Sequence, residues 1–480
     1  MPAFSPLNYI NVGPHGTFRE SGNLKTNPED IDAIFEHLEQ TGQGKLAVHF
    51  HGGLIGEAKG KEIAEKMWKL FKDDAHPVTF VWETGFIETV SRNLNELFPT
   101  KLFQKVVKYA IRRAAAKLGG GIGGKGPGEE MTLTEIEAEL ASVDRFDRYD
   151  QGAKDAAAVM DEAELDAIAT EIQAEVELDL DADPDIIDIL ETEPPITELL
   201  DPAFVDEVQA EKSDKGFIST AKLALHISKI VYRVIKRFIR KRDHGFYPTV
   251  VEETLRELYL ADFGAWVWGN MKEIAEAMWQ PNTLPLTDDS HPGTYFLEKL
   301  AAHQQAHPGF TIDLAGHSAG SIAICHMLDQ AEERFPALAI RNVLLLAPAC
   351  TSELFRQEIA TRPDRFDAFR MFTMKDDLET KDRLVPAVYT RSLLYFISGV
   401  LEGTWDIPLA GLELQSRGTA PYDSRELLEV QRFVRAPGTL RLVLSETTGQ
   451  GPGLNSASHA HGDFDDDTET RTSLKVIVAT

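Results

Sequence analysis

Short apolar runs alternate with helix-like segments over most of this chain, and the alternation is the strongest constraint on its fold. Runs rich in valine, leucine, isoleucine and phenylalanine lie at 45–50, 77–82, 310–316, 341–348, 369–374 and 439–445. Their nearly continuous apolar character is typical of strands that are buried on both faces of a sheet. Segments with helical length and periodicity lie between several of them, at 56–73, 292–306 and 319–335. The pattern predicts an α/β fold, with a mostly parallel sheet and helices on both faces.

A strongly acidic segment interrupts this alternation. The chain has a formal net charge of -28, and residues 129–211 contain 28 acidic and 3 basic residues. Basic amphipathic helices are predicted on either side, at 101–118 and 217–242. The negative balance argues against nucleic acid as a partner. The basic helices have two interpretations: they pair with the acidic segment of the same molecule, or they make peripheral contact with an anionic membrane.

The chain of 480 residues is long enough for a large core and an insertion. We predict that residues 1–86 and 286–480 form the two parts of one α/β core. Residues 87–285 are then an inserted helical cap, in which the basic helices flank an acidic segment of low order. An insertion after an early strand is expected to lie at the carboxyl ends of the strands, where loops line a ligand site.

A serine between two glycines stands where a predicted strand turns into a predicted helix. Residues 316–320 read GHSAG, directly after the apolar run 310–316. Glycines allow close backbone approach in a tight turn, and the start of a helix directs N–H groups and a positive dipole end towards developing negative charge. This context predicts a nucleophile elbow with Ser318 as the nucleophile.

The elbow and its flanks resemble those of α/β-hydrolase-fold serine hydrolases of the esterase and lipase type. The resemblance covers roughly residues 44–100 and 285–480 and implies a catalytic triad in the chain order serine, acid, histidine. In such hydrolases a loop containing His-Gly supplies one N–H group of the oxyanion hole, and the residue after the nucleophile supplies the other. Carried over to HGGL at 51–54, this implies that Gly53 or Leu54 acts together with Ala319.

The resemblance also implies where the acid lies. The triad acid normally follows the second strand after the elbow, which is here the run 369–374, and the next residues read KDDLETKD. Asp376 is the preferred candidate, Asp377 the second and Asp382 the third.

The histidine is expected in a loop beyond the last strand. His461 is preferred because it begins HGDFDDD and leads into a final helix, and His459 is the alternative. His49 and His51 alternate on a strand, so that with His459 and His461 they suggest a competing zinc or manganese site. Because the triad order is complete and no ligand spacing is diagnostic, we predict no metal and no cofactor.

These features predict a serine hydrolase that cleaves carboxylic esters of small-molecule or lipid substrates through an acyl-enzyme. Two alternatives remain: a peptidase or thioesterase that uses the same triad, and a non-enzymatic or partner-regulated protein that binds other proteins through its acidic segment. The first residues resemble no signal peptide and no run is long enough for a membrane span, so a cytoplasmic location is predicted. Cys325 and Cys350 lie in apolar contexts and are predicted to be buried free thiols.

Overall fold

The computed structural model forms two compact units. It describes residues 3–52, 57–82, 86–118, 130–192, 200–201, 204, 220–259 and 263–480. Unit 1 comprises Met1–Thr89, Val267–Asp382 and Pro408–Thr480, and unit 2 comprises Val90–Trp266 and Arg383–Ile407. Unit 2 therefore interrupts the chain of unit 1 twice, and its bounds differ from the predicted 87–285.

Two segments lie in a different unit from the one expected. Residues 267–285 belong to unit 1 because Trp279 packs on Phe50 and Phe80 of the sheet, at ring distances of 5.9 and 5.5 Å. Residues 383–407 belong to unit 2, where the Tyr389 hydroxyl donates to buried Glu252 at 2.5 Å. Neither contact could be read from local sequence, since the partners are distant along the chain.

A seven-stranded parallel sheet forms the centre of unit 1. Its strands are β1 (Tyr9–Val12), β2 (Lys45–Phe50), β3 (His76–Trp82), β4 (Thr311–His317), β5 (Ile340–Leu346), β6 (Phe366–Met374) and β7 (Leu442–Ser445). They lie in the order β1-β3-β2-β4-β5-β6-β7, and every neighbouring pair is parallel. The predicted parallel sheet is confirmed, with β1 as an additional short strand.

Helices connect the strands and build unit 2. In chain order they are α1 (Pro28–Thr41), α2 (Glu57–Phe71), α3 (Phe86–Leu97), α4 (Lys101–Lys117), α5 (Leu133–Ala141), α6 (Asp150–Ala157), α7 (Glu162–Asp181), α8 (Pro184–Thr192), α9 (Thr220–Ile239), α10 (Phe246–Leu258), α11 (Phe263–Ala277), α12 (Pro292–Ala306), α13 (Gly320–Arg334), α14 (Ser352–Phe355), α15 (Asp376–Glu379), α16 (Leu393–Phe396), α17 (Arg425–Val434) and α18 (Thr468–Ala479). Within the described ranges, no helix combines the length and apolar character that crossing a membrane requires. Cys325 and Cys350 are buried and free.

The described part of the acidic segment contains four helices, whereas low order was expected. It contains α5 to α8, and α7 buries Leu165, Ile172, Val176 and Leu180 on one face. An apolar face of this kind packs a helix against its neighbours even when the remaining surface is highly charged. The spacing of these four residues is helical and could have been read from the sequence, although most of the neighbouring residues are charged.

The basic helices α4 and α9 pair with the acidic segment inside unit 2. Arg113 of α4 is only 7% exposed and lies 2.6 Å from Asp179 and 3.3 Å from Glu175 of α7. Arg240, just after α9, lies 2.6 Å from Glu162 at the start of α7. Several cations that gave these helices their basic character are therefore neutralised within the same unit.

Candidate active site

Ser318 lies in the tight turn that joins β4 to α13. Its φ angle of 52° is in the left-handed region, which residues other than glycine rarely adopt. Its N–H donates to the Leu346 carbonyl at 2.9 Å, and its carbonyl accepts from the Ala349 N–H at 3.1 Å and from the Ser321 hydroxyl at 2.6 Å. These hydrogen bonds from β5, its following loop and α13 hold the strained turn in place.

The glycines of this turn are required by close backbone contacts. A Cβ atom on Gly320 would collide with the Phe50 carbonyl oxygen, and one on Gly316 would lie 2.9 Å from the carbonyl carbon of Gly320. Gly52, just beyond the end of β2, also lies against the serine, since a Cβ atom there would be 3.3 Å from the Ser318 Cβ. The glycines therefore let β2, β4 and α13 meet at Ser318.

The Ser318 hydroxyl contacts His461. The Oγ atom lies 2.9 Å from Nε2, and both side chains are buried. His461 begins a one-turn 3-10 helix, His461–Asp463, shortly before α18. An imidazole nitrogen within hydrogen-bond distance of a serine hydroxyl is the arrangement that activates this weak nucleophile.

Burial holds His461 in its neutral form. The pKa of His461 lies well below its ordinary value, first because burial disfavours the charged ring and second because the charge of His317 repels it. A neutral imidazole at neutral pH leaves Nε2 free to accept the serine proton.

A second histidine and an aspartate support His461. His317 Nε2 lies 3.0 Å from the His461 carbonyl oxygen, and His317 Nδ1 lies 2.9 Å from Asp465 Oδ2. Burial alone would lower the pKa of His317, but the Asp465 carboxylate raises it above its ordinary value. We therefore describe His317 as an imidazolium that donates from both ring nitrogens.

Neither His317 nor Asp465 was predicted to have a role in the site. The available signals were a polar residue inside the GHSAG turn and an aspartate in the run DFDDD. The aspartates of this run make different contacts. Asp465 binds His317, and Asp466 binds Lys66 at 2.5 Å. Asp467 accepts the Thr470 N–H at 2.8 Å at the start of α18.

The carboxylate that contacts His461 is that of Asp382 rather than that of Asp376. Asp382 Oδ2 accepts the His461 backbone N–H at 2.8 Å, whereas His461 Nδ1 has no hydrogen-bond partner among the described residues. Asp376 was preferred because it follows β6 closely. The chain forms helix α15 from Asp376, and the carboxylate that accepts the His461 N–H comes from the turn after that helix. Burial raises the pKa of Asp382.

The two alternative candidates, Asp377 and His459, lie at the surface. The Asp377 side chain is 67% exposed and lies 3.8 Å from Lys381. The His459 side chain is 59% exposed, and its Nε2 lies 3.0 Å from Glu446. The structure does not bring either side chain to Ser318.

His51 fixes the loop after β2 instead of presenting a metal ligand. Its Nε2 accepts the Trp82 N–H at 3.1 Å, so its Nδ1 carries the proton and donates to the Gly52 carbonyl at 2.6 Å. Both ring nitrogens are thus engaged, which removes His51 from the alternative metal site. Burial lowers its pKa to about 4, in keeping with a neutral ring.

The expected oxyanion donors are described only in part. Ala319 is the residue before α13, so its N–H has no acceptor within the helix, and the helix dipole favours negative charge beside it. Gly53 and Leu54 lie outside the described residues.

Part of unit 1 is similar to a known family. Residues 294–381, which include the serine turn together with β4, β5 and β6, match a family described as "Alpha/beta hydrolase of unknown function (DUF900)". Neither the curated proteins nor the solved structures include a significant match. The parallel sheet, the strained serine turn and this match together show that unit 1 has an α/β-hydrolase fold.

Proposed function

We propose that this chain is a serine hydrolase that cleaves carboxylic esters of small-molecule or lipid substrates. The observation that carries the proposal is the hydrogen bond of 2.9 Å between Ser318 Oγ and His461 Nε2, at a strained turn between a strand and a helix. Strain that is held by several hydrogen bonds is typical of functional positions. The α/β-hydrolase fold supports a hydrolytic reaction in general, and the serine supports an acyl-enzyme.

The proposed reaction uses His461 first as a base and then as an acid. Nε2 takes the Ser318 proton while Oγ attacks the ester carbonyl carbon, and the carbonyl oxygen becomes an oxyanion. The Ala319 N–H, with the N–H of Gly53 or Leu54, is proposed to stabilise that oxyanion. As the ester bond breaks, the protonated imidazole gives its proton to the leaving alcohol, and water then releases the acid from the acyl-enzyme by the same two steps.

We propose Asp382, in place of Asp376, as the carboxylate that orients His461. Asp382 already holds the histidine backbone through Oδ2, and its other oxygen is the acceptor proposed for the Nδ1 proton when the ring becomes charged. The charge of Asp465 also acts on the His461 ring and opposes the lowering of its pKa, but Asp465 Oδ2 already binds His317. This assignment leaves the order serine, acid, histidine unchanged.

Labelling with a fluorophosphonate probe tests the proposal, because the probe requires an activated serine. We expect the full-length chain to be labelled at Ser318, as located by peptide mapping, and to hydrolyse a chromogenic acyl ester. Ser318→Ala and His461→Gln are expected to lose both properties. His459→Gln is the matched control, since it removes a histidine two positions away, and it should keep both.

Full activity of Ser318→Ala would disprove the proposal. A folded wild-type chain without labelling or turnover would favour the non-enzymatic alternative. If labelling succeeds, turnover of an ester, a thioester and an amide of the same acyl group distinguishes an esterase from a thioesterase or peptidase, because these activities share the same catalytic groups.

A further inference from the structure

Two histidines and a glutamate converge where α1 and α12 end. His303 lies in the last turn of α12 and His307 directly after it, while Glu39 lies in the last turn of α1. Glu39 Oε1 is 3.7 Å from His303 Nδ1 and 3.6 Å from His307 Nε2, and the three ligand atoms all lie within 4.8 Å of one another. Zinc ligands at about 2.0–2.2 Å in a tetrahedron are separated by about 3.3–3.6 Å. The cluster is therefore close to the size of a zinc site.

The hydrogen bonding of His307 leaves its ligand atom free. Its Nδ1 lies 2.9 Å from the His303 carbonyl oxygen, which can only accept, so Nδ1 carries the proton and Nε2 keeps its lone pair towards Glu39. Histidines that bind metals commonly donate their other ring N–H to a backbone carbonyl in this way.

Packing fixes the second histidine. The His303 side chain is 5% exposed, and its ring packs edge-on against Phe310 with centroids 4.6 Å apart.

The surrounding charge also favours a cation. Helices α1 and α12 both end at the cluster, and the carboxyl end of a helix carries partial negative charge. Glu39 places a carboxylate beside the two imidazole rings. Imidazole and carboxylate ligands together suit zinc and similar first-row divalent cations better than calcium or magnesium.

We propose that Glu39, His303 and His307 bind a divalent cation of the zinc class. The site would join the end of α1 to the end of α12. His307 precedes β4 and Ser318 follows it, so the two sites lie at opposite ends of a strand that is about 23 Å long at 3.3 Å per residue. The cation is therefore a structural or regulatory ligand, and the inference does not depend on the proposed hydrolase activity.

Zinc titration of the full-length chain, first stripped of metal with a chelator, tests the inference. Competition with a chromophoric zinc indicator is expected to show one zinc ion bound per chain. Glu39→Gln and His307→Gln each remove one ligand, and should weaken binding by more than the about 10- to 100-fold that loss of an outer hydrogen-bond partner costs. Both side chains are exposed, by 57% and 42%, so these variants are expected to fold.

His15→Gln is the matched control. His15 is an exposed histidine 3.9 Å from Glu273. This histidine–glutamate pair has no second histidine ligand among the described residues, so the loss of His15 should leave zinc affinity unchanged. X-ray absorption at the zinc edge should show nitrogen and oxygen ligands with imidazole scattering. Absence of zinc binding, wild-type affinity in both ligand variants, or sulfur ligation from the cysteines would overturn the inference.

Discussion

The neighbouring residues His317 and His461 favour different charge states, and the carboxylate of Asp465 explains the difference. His317 is bonded to Asp465 at 2.9 Å, so its charged form is stabilised although it is buried. His461 has no hydrogen-bond partner at Nδ1 among the described residues, so burial dominates and the ring stays neutral. A charged His317 can hold the His461 carbonyl while His461 remains a base, which divides positioning and proton transfer between two side chains.

The lowered pKa of His461 predicts the acidic limb of the pH–rate profile. A base is active while it is unprotonated, so kcat/KM falls only when the pH drops through the pKa of the free enzyme. Because that pKa is lowered, we expect kcat/KM for an uncharged ester to stay constant as the pH falls to 6.5. The decline should begin only at a lower pH. An acidic limb centred above pH 6.5 would contradict the assignment of His461 as the base.

Removing the charge of His317 should move this limb. In His317→Gln the repulsion that helps to lower the pKa of His461 is absent, so the acidic limb is expected at a higher pH than in the wild type. A merely structural role for His317 would lower kcat without shifting the profile. The two outcomes are separated by measuring kcat/KM across the same pH series for both proteins.

The same substitution to asparagine should affect kcat differently at Asp382 and at Asp376. Asp382→Asn keeps the shape of the side chain but removes the charge proposed to stabilise protonated His461, so kcat is expected to fall by about 10³- to 10⁴-fold. Asp376→Asn alters a carboxylate other than the one that accepts the His461 backbone N–H, and should keep nearly wild-type kcat. Steady-state kinetics of both variants, with circular dichroism as the folding control, decide between them; loss of activity in Asp376→Asn alone would restore the original expectation.

At the scale of elements, the strands and helices of the core were predictable because each carries its own periodic signal. The six apolar runs all form strands, and the segment 292–306 forms α12 with the same bounds. β1 was missed because it has only four residues, among them a buried polar Asn11 whose N–H donates to the Thr26 hydroxyl at 2.8 Å. Ser318 and His461 were predictable from chain order, whereas the contact of Asp382 depends on the one-turn helix α15, which leaves no clear local signal.

Replacing a glycine with alanine should have opposite effects on stability at the start of α13 and inside α11. Gly320→Ala places a Cβ atom against the Phe50 carbonyl, which belongs to the sheet backbone, so we expect a loss of about 1–3 kcal/mol in unfolding free energy. Gly269→Ala in α11 meets no atom within 4 Å and should gain about 0.5–1 kcal/mol from helix propensity. Urea denaturation of both variants measures the difference, and a destabilisation of similar size in both would show that contact geometry is not the cause.

At the scale of the whole molecule, most of the net charge of -28 lies in residues 129–211, and the described part of that segment belongs to a unit with internal ion pairs. Acidic side chains of α7 contact cations of α4 and α9, so part of the positive charge of both basic helices is compensated within the unit. Such pairs screen one another, while the remaining acidic excess repels anionic surfaces. The charge pattern of the sequence was compatible with membrane contact, and the pairing favours the intramolecular interpretation.

This pairing predicts weak binding to anionic membranes. In sedimentation at physiological salt, the full-length chain should stay in the supernatant with vesicles that contain phosphatidylserine, and its hydrolysis of a water-soluble ester should be the same with and without them. Glu162→Gln provides the matched test, because Glu162 is a half-exposed partner of both Lys236 and Arg240, at 3.4 and 2.6 Å. Each released cation contributes about 1 kcal/mol near an anionic surface, so the variant should bind vesicles more tightly than the wild type, with a gain that disappears in high salt. Strong vesicle binding by the wild type, or equal binding by the two proteins, would show that these ion pairs do not control membrane contact.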